Sequence, residues 1–351
     1  MLSERVKRLV PYTPGEQPQD KAYLKLNTNE NPYPPSPRIK TILQDFDIES
    51  LRLYPDPLSE RLRSQLGSRY GLSREEVFVS NGSDEALSFC FYAFFGNERG
   101  SLLFPQLTYS FFPVYCCFYD IAYEPIPLNR DFTINLGKFV QKGGCGTILA
   151  NPNAPTGVAL SLKEISDFLE SYPPDKVVVI DEAYVDFGAE SAAPLVRRFP
   201  NLAVVRTFSK SMSLAGLRLG FVLASEGLIS ALFTVKDSFN SYPVDMLSQS
   251  IAEVALSDEV YYQAITRAII SAREAFRESL LAMDWNVLPS KANFVFARKG
   301  GLSGKEVYLE LKKRGILVRY FGGEQTRDFV RITIGKKEDM ERLTGEIRRA
   351  L

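Results

Sequence analysis

Val177-Val178-Val179-Ile180-Asp181-Glu182-Ala183-Tyr184 is the stretch on which the fold turns. Four β-branched residues run without polar interruption into a pair of acids. A strand with one wet face would alternate, and a surface helix would show a stripe. A short, continuously apolar run is the pattern of a strand buried on both faces. Comparable runs occupy residues 77–79, 102–104, 147–150, 202–205 and 219–224, with helical stretches between them. The expected fold is therefore α/β: a large domain built on a mostly parallel sheet covered by helices.

Outward from this core the pattern changes twice. Residues 11–37 are rich in Pro, Asn and Gly and read as an extended arm, and Tyr54-Pro55-Asp56-Pro57 adds a turn-rich segment. A helix is expected over 58–70, with Leu58, Leu62 and Leu66 on one face, and a long helical region over 246–283. Past Trp285 the alternation restarts on a smaller scale. Strands are expected at 294–297, 316–318 and 330–334, with helices at 304–314 and 337–350. The division that follows is an arm over 1–37 joining the small domain, a large domain over 38–245, a linking helical region over 246–283 and a small α/β domain over 284–351.

Composition narrows the chemistry. The 42 basic and 42 acidic residues cancel, so no long-range field recruits nucleic acid or an anionic membrane. Cys90, Cys116, Cys117 and Cys145 form no C-x-x-C pair, which fits reduced thiols in a cytoplasm better than a disulfide framework. The first eleven residues lack the apolar core of a signal peptide, and no apolar run approaches the length of a membrane span. The chain contains no histidine, which removes Ser-His-Asp and Cys-His catalysis and every imidazole metal site. Proton transfer falls to Lys, Asp, Glu, Tyr, Cys or a cofactor.

In open α/β sheets functional residues lie beyond the carboxyl ends of the strands. Asp181 and Tyr184 follow one run; Thr207, Ser209, Lys210 and then Arg218 follow another. Gly82, Ser83 and Asp84 form a strand-to-helix turn suited to a phosphate. Tyr109 follows the run at 102–104, and Asn151-Pro152-Asn153-Ala154-Pro155-Thr156-Gly157 makes a fixed turn. Each position alone is equally explained by a helix cap, a turn, a core aromatic or a solvated side chain. Their order along the chain is not.

That order resembles the fold type I aminotransferases, which depend on pyridoxal 5'-phosphate. The resemblance spans nearly the whole chain and is carried further by 25–32, 54–57, Leu214-Ala215-Gly216-Leu217-Arg218-Leu219-Gly220 and 330–335. It implies that Lys210 forms the Schiff base, Asp181 pairs with the pyridine nitrogen and Tyr184 bonds the ring 3-oxygen. It implies further that Tyr109 stacks on the ring, while Thr207, Ser209, Arg218 and the turn at Gly82, Ser83 and Asp84 bind the phosphate. Tyr54 would reach the phosphate of a partner subunit, making the active unit a homodimer. Tyr12 and Asn29 would lie near the substrate, and Arg319 and Arg331 would bind its anionic groups. One departure stands out: the asparagine usual before Pro-Thr-Gly is Ala154 here, leaving Asn153, Asn151 or Tyr184 to supply its contact. The implied reaction is amino transfer between L-histidinol phosphate and 2-oxoglutarate. Transamination of aromatic amino acids and decarboxylation of a phosphorylated amino acid are the alternatives.

Overall fold

The computed structural model describes residues 2–18, 20 and 22–351. Its strands in chain order are β1 (Leu24–Lys25), β2 (Val77–Ser80), β3 (Leu102–Pro105), β4 (Tyr123–Ile126), β5 (Gly146–Ala150), β6 (Val178–Asp181), β7 (Leu202–Thr207), β8 (Gly220–Ala224), β9 (Trp285–Val287), β10 (Phe294–Lys299), β11 (Ile316–Leu317), β12 (Arg319–Tyr320) and β13 (Val330–Thr333). All six apolar runs are strands of one seven-stranded sheet in the order β2-β8-β7-β6-β5-β3-β4. It is parallel except for β8, which runs against both its neighbours.

The continuity of the apolar runs has a direct cause. Val178 and Ile180 of β6, with Val204 of β7, enter one core, whereas Val179 and Val205 enter another. Helices cover both faces, so neither parity of a strand can be polar until the strand ends. Asp181 is the first residue of β6 to break the rule, at the carboxyl edge.

A second sheet, β12-β13-β10-β9, is antiparallel and packs its own core around Val295, Val330 and Ile332. Arm residues Leu24 and Lys25 pair in parallel with Ile316 and Leu317, tying the arm to this part of the chain. The region expected to be helical from 246 to 283 is two helices, Met246–Ser257 and Glu259–Leu281. Asp258 leaves helical geometry between them, and its carboxylate accepts a hydrogen bond from the Ser36 hydroxyl. The helix expected from residue 58 begins at Glu60, because Ser59 adopts a left-handed conformation and Asp56 accepts from the Leu58 and Glu60 amides.

The turn-rich segment around Tyr54 is held from beneath by buried donors. Lys236 is 1% exposed and donates from Nζ to the carbonyls of Pro57 (3.1 Å) and Ser241 (3.0 Å). Gln249 Nε2 donates to the carbonyls of Asp56 (3.1 Å) and Val244 (3.0 Å). Tyr54 itself is 80% exposed and stacks on Tyr242, with ring centroids 4.6 Å apart.

Replacing Lys236 by Met keeps the chain length but leaves two carbonyls without a donor. A loss of about 2–4 kcal/mol is expected, read as a lower urea midpoint with an unchanged slope. An unshifted midpoint would show that Lys236 does not anchor this segment.

Candidate active site

The site gathers at the carboxyl edge of β5, β6 and β7, where strand residues give way to loops. Asp181 closes β6 and is 6% exposed. Its Oδ1 accepts from the Ala183 amide at 3.1 Å, and among the described residues it makes no ion pair. Burial pushes its carboxyl up from the ordinary 3.8 to about 7. The Asp84 and Glu182 carboxylates add to the rise, while the Ala183 amide and Lys210 oppose it.

Lys210 lies in the loop after β7. Its Nζ is 3.4 Å from the Thr28 carbonyl and 5.7 Å from the centroid of the Tyr184 ring. The amine is thus held loosely between the arm and Tyr184. Asn31 Nδ2 donates to the Lys210 carbonyl at 2.9 Å, so the arm also fixes the lysine's backbone.

The phosphate-type turn is built by close approach. Gly82 has φ +80°, and a Cβ there would lie 2.7 Å from an Arg218 guanidinium nitrogen. Gly220 backs the turn, since a Cβ there would meet the Ser83 amide nitrogen at 2.4 Å. Gly82 opens the helix Gly82–Phe94, whose N-terminus carries no side-chain cap. Arg218 pairs with Asp84 at 2.9 Å, and the Tyr109 hydroxyl donates to the same carboxylate at 3.0 Å. Asp84 therefore couples an aromatic ring to a guanidinium. Thr207 Oγ1 lies 3.4 Å from the Leu219 carbonyl and accepts from the Ser209 amide at 3.1 Å. Ser209 Oγ is buried with no protein partner among the described residues.

The arm and the second sheet close the other side. Asn29 Nδ2 donates to the Tyr184 hydroxyl oxygen at 2.9 Å. Thr333 and Asn293 lock Asn29 in place: Thr333 Oγ1 donates to its Oδ1 (3.0 Å) and Asn293 Nδ2 to its carbonyl (3.0 Å). The Tyr184 hydroxyl thus receives one hydrogen bond and keeps its own proton to donate elsewhere. Tyr12 packs on Phe111 (5.1 Å) and near Tyr109 (6.5 Å). Arg319 and Arg331 face each other across β12 and β13 and share the Phe321 ring. Arg319 donates to the carbonyls of Thr13 (2.9 Å) and Pro14 (3.0 Å). Arg331 donates to that of Asn27 (3.1 Å), while its Nε is sealed from solvent and unpartnered among the described residues.

Asn153 is buried with its Nδ2 directed at the Leu107 carbonyl (2.9 Å) and Thr156 Oγ1 (3.2 Å). Asn151 is spent on the Leu160 backbone at both ends of its amide. Neither amide nitrogen is free, and Ala154 packs against Ala292, Phe294 and Tyr184. Of the residues expected at the site, only Tyr54 stands away from these contacts, exposed on its stack with Tyr242. The adjoining Pro243 carbonyl accepts from Asn81 Nδ2 (3.0 Å), next to Gly82.

Sequence reasoning missed Asn27, Asn31, Thr333, Asn293 and Phe294. A signal existed for the first two: Asn27, Asn29 and Asn31 recur at a spacing of two, as on one face of an extended chain.

The Asp181 carboxyl yields a sign-definite prediction for the protein stripped of small molecules. A raised native value means the folded protein binds this proton more tightly than the unfolded chain. The associated stability is present below about pH 4 and lost as pH rises to about 7. Asp181→Asn should therefore stabilise the stripped protein at pH 8, by roughly 2–4 kcal/mol, with the gain shrinking toward pH 4. Urea unfolding of both proteins across this range checks it; a pH-independent difference would contradict it.

Residues 21–347 match the family Aminotransferase class I and II. The chain is 59% identical, over 99% of its length and 98% of the relative's, to a histidinol-phosphate aminotransferase of Syntrophus aciditrophicus. It is 48% identical to another of Chromohalobacter salexigens, over 97% of this chain and 96% of that one. Among solved structures, the histidinol-phosphate aminotransferase of Sinorhizobium meliloti in complex with pyridoxal-5'-phosphate superposes with a TM-score of 0.85. That match has 22% identity and covers 99% of this chain and 98% of that one, a likeness of fold. A strand-end lysine and a buried acid, backed by a family match over almost the whole length, place this chain in the class I and II aminotransferases.

Proposed function

We propose that this protein transfers the amino group of L-histidinol phosphate to 2-oxoglutarate, reversibly and with pyridoxal 5'-phosphate as cofactor, giving imidazole acetol phosphate and glutamate. The observation that carries the reading is the convergence of Lys210, Asp181 and the Gly82–Arg218 turn, in a chain 59% identical to a histidinol-phosphate aminotransferase.

The residues present fit the cofactor. Among the described residues, Asp181 is a buried acid without an ion-pair partner, suited to a protonated ring nitrogen. Among the same residues Ser209 Oγ is a buried hydroxyl without a partner, and Gly82 and Arg218 form a cradle that a Cβ would fill. Bound there, the cofactor supplies an electron sink for breaking a bond at the substrate's amino-bearing carbon. The protein does the rest. Lys210 Nζ would hold the cofactor covalently and, once the substrate's amine displaces it as a free amine, would move the proton at that carbon, a task no imidazole can take in a chain without histidine. Asp181 holds the proton at the ring nitrogen. Tyr184, fed by Asn29, donates to the ring oxygen and takes over the contact that Ala154 cannot make. Tyr109 offers its face to the ring; Ser83, Asp84, Thr207, Ser209 and Arg218 surround the phosphate. Asn153 contributes by fixing the Leu107 and Thr156 segments rather than by donating to the ring.

Arg319 and Arg331 would take the substrate's anionic end. Histidinol phosphate brings a phosphate there and glutamate a carboxylate, and the planar guanidinium fork pairs with either. Tyr12 and Asn29 complete the pocket from the arm. The pairing of β1 with β11 supports counting residues 1–37 with the small domain over 284–351, beside a large domain over 38–245 and the linking helices over 246–283.

We further infer a homodimer with Tyr54 donated to the partner's phosphate site. Ile48, Leu51, Leu53 and Tyr54 are exposed in one segment, beside exposed Phe239 and Tyr242. Clustered apolar side chains of this kind are what a partner covers. Four free cysteines accord with a cytoplasmic location, and no helix among the described residues is long and apolar enough to cross a membrane.

Three measurements test the reading. Borohydride reduction followed by peptide mapping should label Lys210; label on another lysine defeats the assignment. Stopped-flow half-reactions should rank histidinol phosphate above histidinol and phenylalanine, with glutamate active; phenylalanine as the best donor would make this an aromatic aminotransferase, and release of CO2 a decarboxylase. In the same assay Arg331→Ala should impair both half-reactions by roughly 2–5 kcal/mol. Mixing inactive Lys210→Ala with inactive Tyr54→Ala subunits under exchange should restore activity, because one hybrid site carries neither lesion. Absence of rescue despite exchange argues against the shared site.

A further inference from the structure

Behind the site, on the opposite side of the sheet edge, lies an ionic network that the proposed chemistry does not use, buried at Glu182, Arg206 and Ser211 and open to solvent at Asp186. Strand alternation creates it. Asp181 and Thr207 continue the parity of Val179 and Val205, so the adjacent Glu182 and Arg206 fall on the parity of Ile180 and Val204. Arg206 is 7% exposed, and its two terminal nitrogens go to two different acids: Glu182 at 2.9 Å and Asp186 at 2.6 Å. Ser211, also buried, donates to the other oxygen of Asp186 at 2.5 Å. The Tyr70 ring lies 5.5 Å from the guanidinium and closes the network.

The placement of these four residues is what gives the network meaning. Glu182 adjoins Asp181, Arg206 adjoins Thr207, and Ser211 adjoins Lys210; Glu182 and Asp186 bracket Tyr184 from either side. Each member sits one or two residues from a group of the site. A shift of any member moves its neighbour at the front. We propose that Arg206 and Ser211 are positioning residues for amino transfer, fixing from behind the sheet the spacing of Asp181, Tyr184 and Lys210. The proposal rests on the roles assigned to those three residues above.

Residue type supports this. Holding two carboxylates at once needs a rigid fork with several donors, which arginine has and lysine lacks. Glu182 is buried and also accepts from the Ser191 hydroxyl (2.6 Å) and the Ala192 amide (2.5 Å), but Arg206 is its one ion-pair partner among the described residues, so the loop carrying Asp181 and Tyr184 is tied to β7 through that guanidinium. Ser211 then carries the same frame forward to the lysine loop through a single hydroxyl.

The test uses holoenzyme of wild type, Arg206→Lys, Ser211→Ala and Ser211→Thr. Three quantities are read: the rate of the half-reaction at saturating glutamate, the dissociation constant of pyridoxal phosphate from stripped protein by absorbance, and the melting temperature. Arg206→Lys and Ser211→Ala should lose roughly 10- to 100-fold in rate, as for reacting groups displaced by a fraction of an ångström to an ångström. Apparent glutamate affinity and cofactor affinity should stay within about threefold, the split expected when orientation and not binding is lost. Ser211→Thr, which keeps the hydroxyl, should recover most of the rate. Ser211→Ala and Ser211→Thr reacting equally, or rate losses that merely track cofactor release and melting temperature, would overturn the proposal. Should Arg206→Lys not fold, the serine pair decides alone. Glutamate is the only donor used, so a wild type inert toward histidinol phosphate would defeat the substrate reading and not this one.

Discussion

A carboxylate buried without a counter-ion is the constraint around which this molecule is arranged. Asp181 sits at the edge of an apolar sheet, with two further acids nearby and, among the described residues, only a backbone amide bonded to it. Water cannot stabilise its charge, and the amine of Lys210 only partly does. The positive end of the helix at Gly82, the Arg218 guanidinium paired with Asp84, and the Ser209 hydroxyl, unpartnered among the described residues, gather donors at the same edge. Under the proposed function, the cofactor's ring nitrogen would meet the acid and its phosphate these donors.

Much of this was legible in the order of residues. Every strand buried on both faces left an unbroken apolar run, and the chemistry began where each run ended. The strands that escaped notice are those without this burial. Tyr123–Ile126 is the outermost strand of the large sheet, contains Pro125 and exposes Tyr123, so its sequence reads as a loop. Trp285–Val287 is a three-residue edge strand of the small sheet. The break at Asp258 was hidden because helical periodicity continues through it; what ends the first helix is a tertiary contact with Ser36, more than two hundred residues away in sequence.

At the site, reading past each strand picked out residues that gather at the carboxyl edge and passed over their neighbours. Glu182 and Arg206 directly adjoin Asp181 and Thr207, yet single-sequence reasoning cannot pair residues from two strands without their register. The contacts of Asn29 were unreadable for a similar reason. Its partners Tyr184, Asn293 and Thr333 come from three distant segments, and a lone arm asparagine carries no mark of them.

That last knot has a consequence for how the chain is born. Asn29 leaves the ribosome well before Thr333, which bonds it twice from 304 residues later. At translation rates of about 5–20 residues per second, the arm waits roughly 15–60 s for its partner. The seven-stranded sheet, finished by residue 224, has its strands in hand well before then. Lys210, Asp181 and the Gly82 turn are thus all synthesised before Asn293 and Thr333 can lock Asn29. Docking of the arm is therefore a long-range event that the finished strands of the large sheet precede.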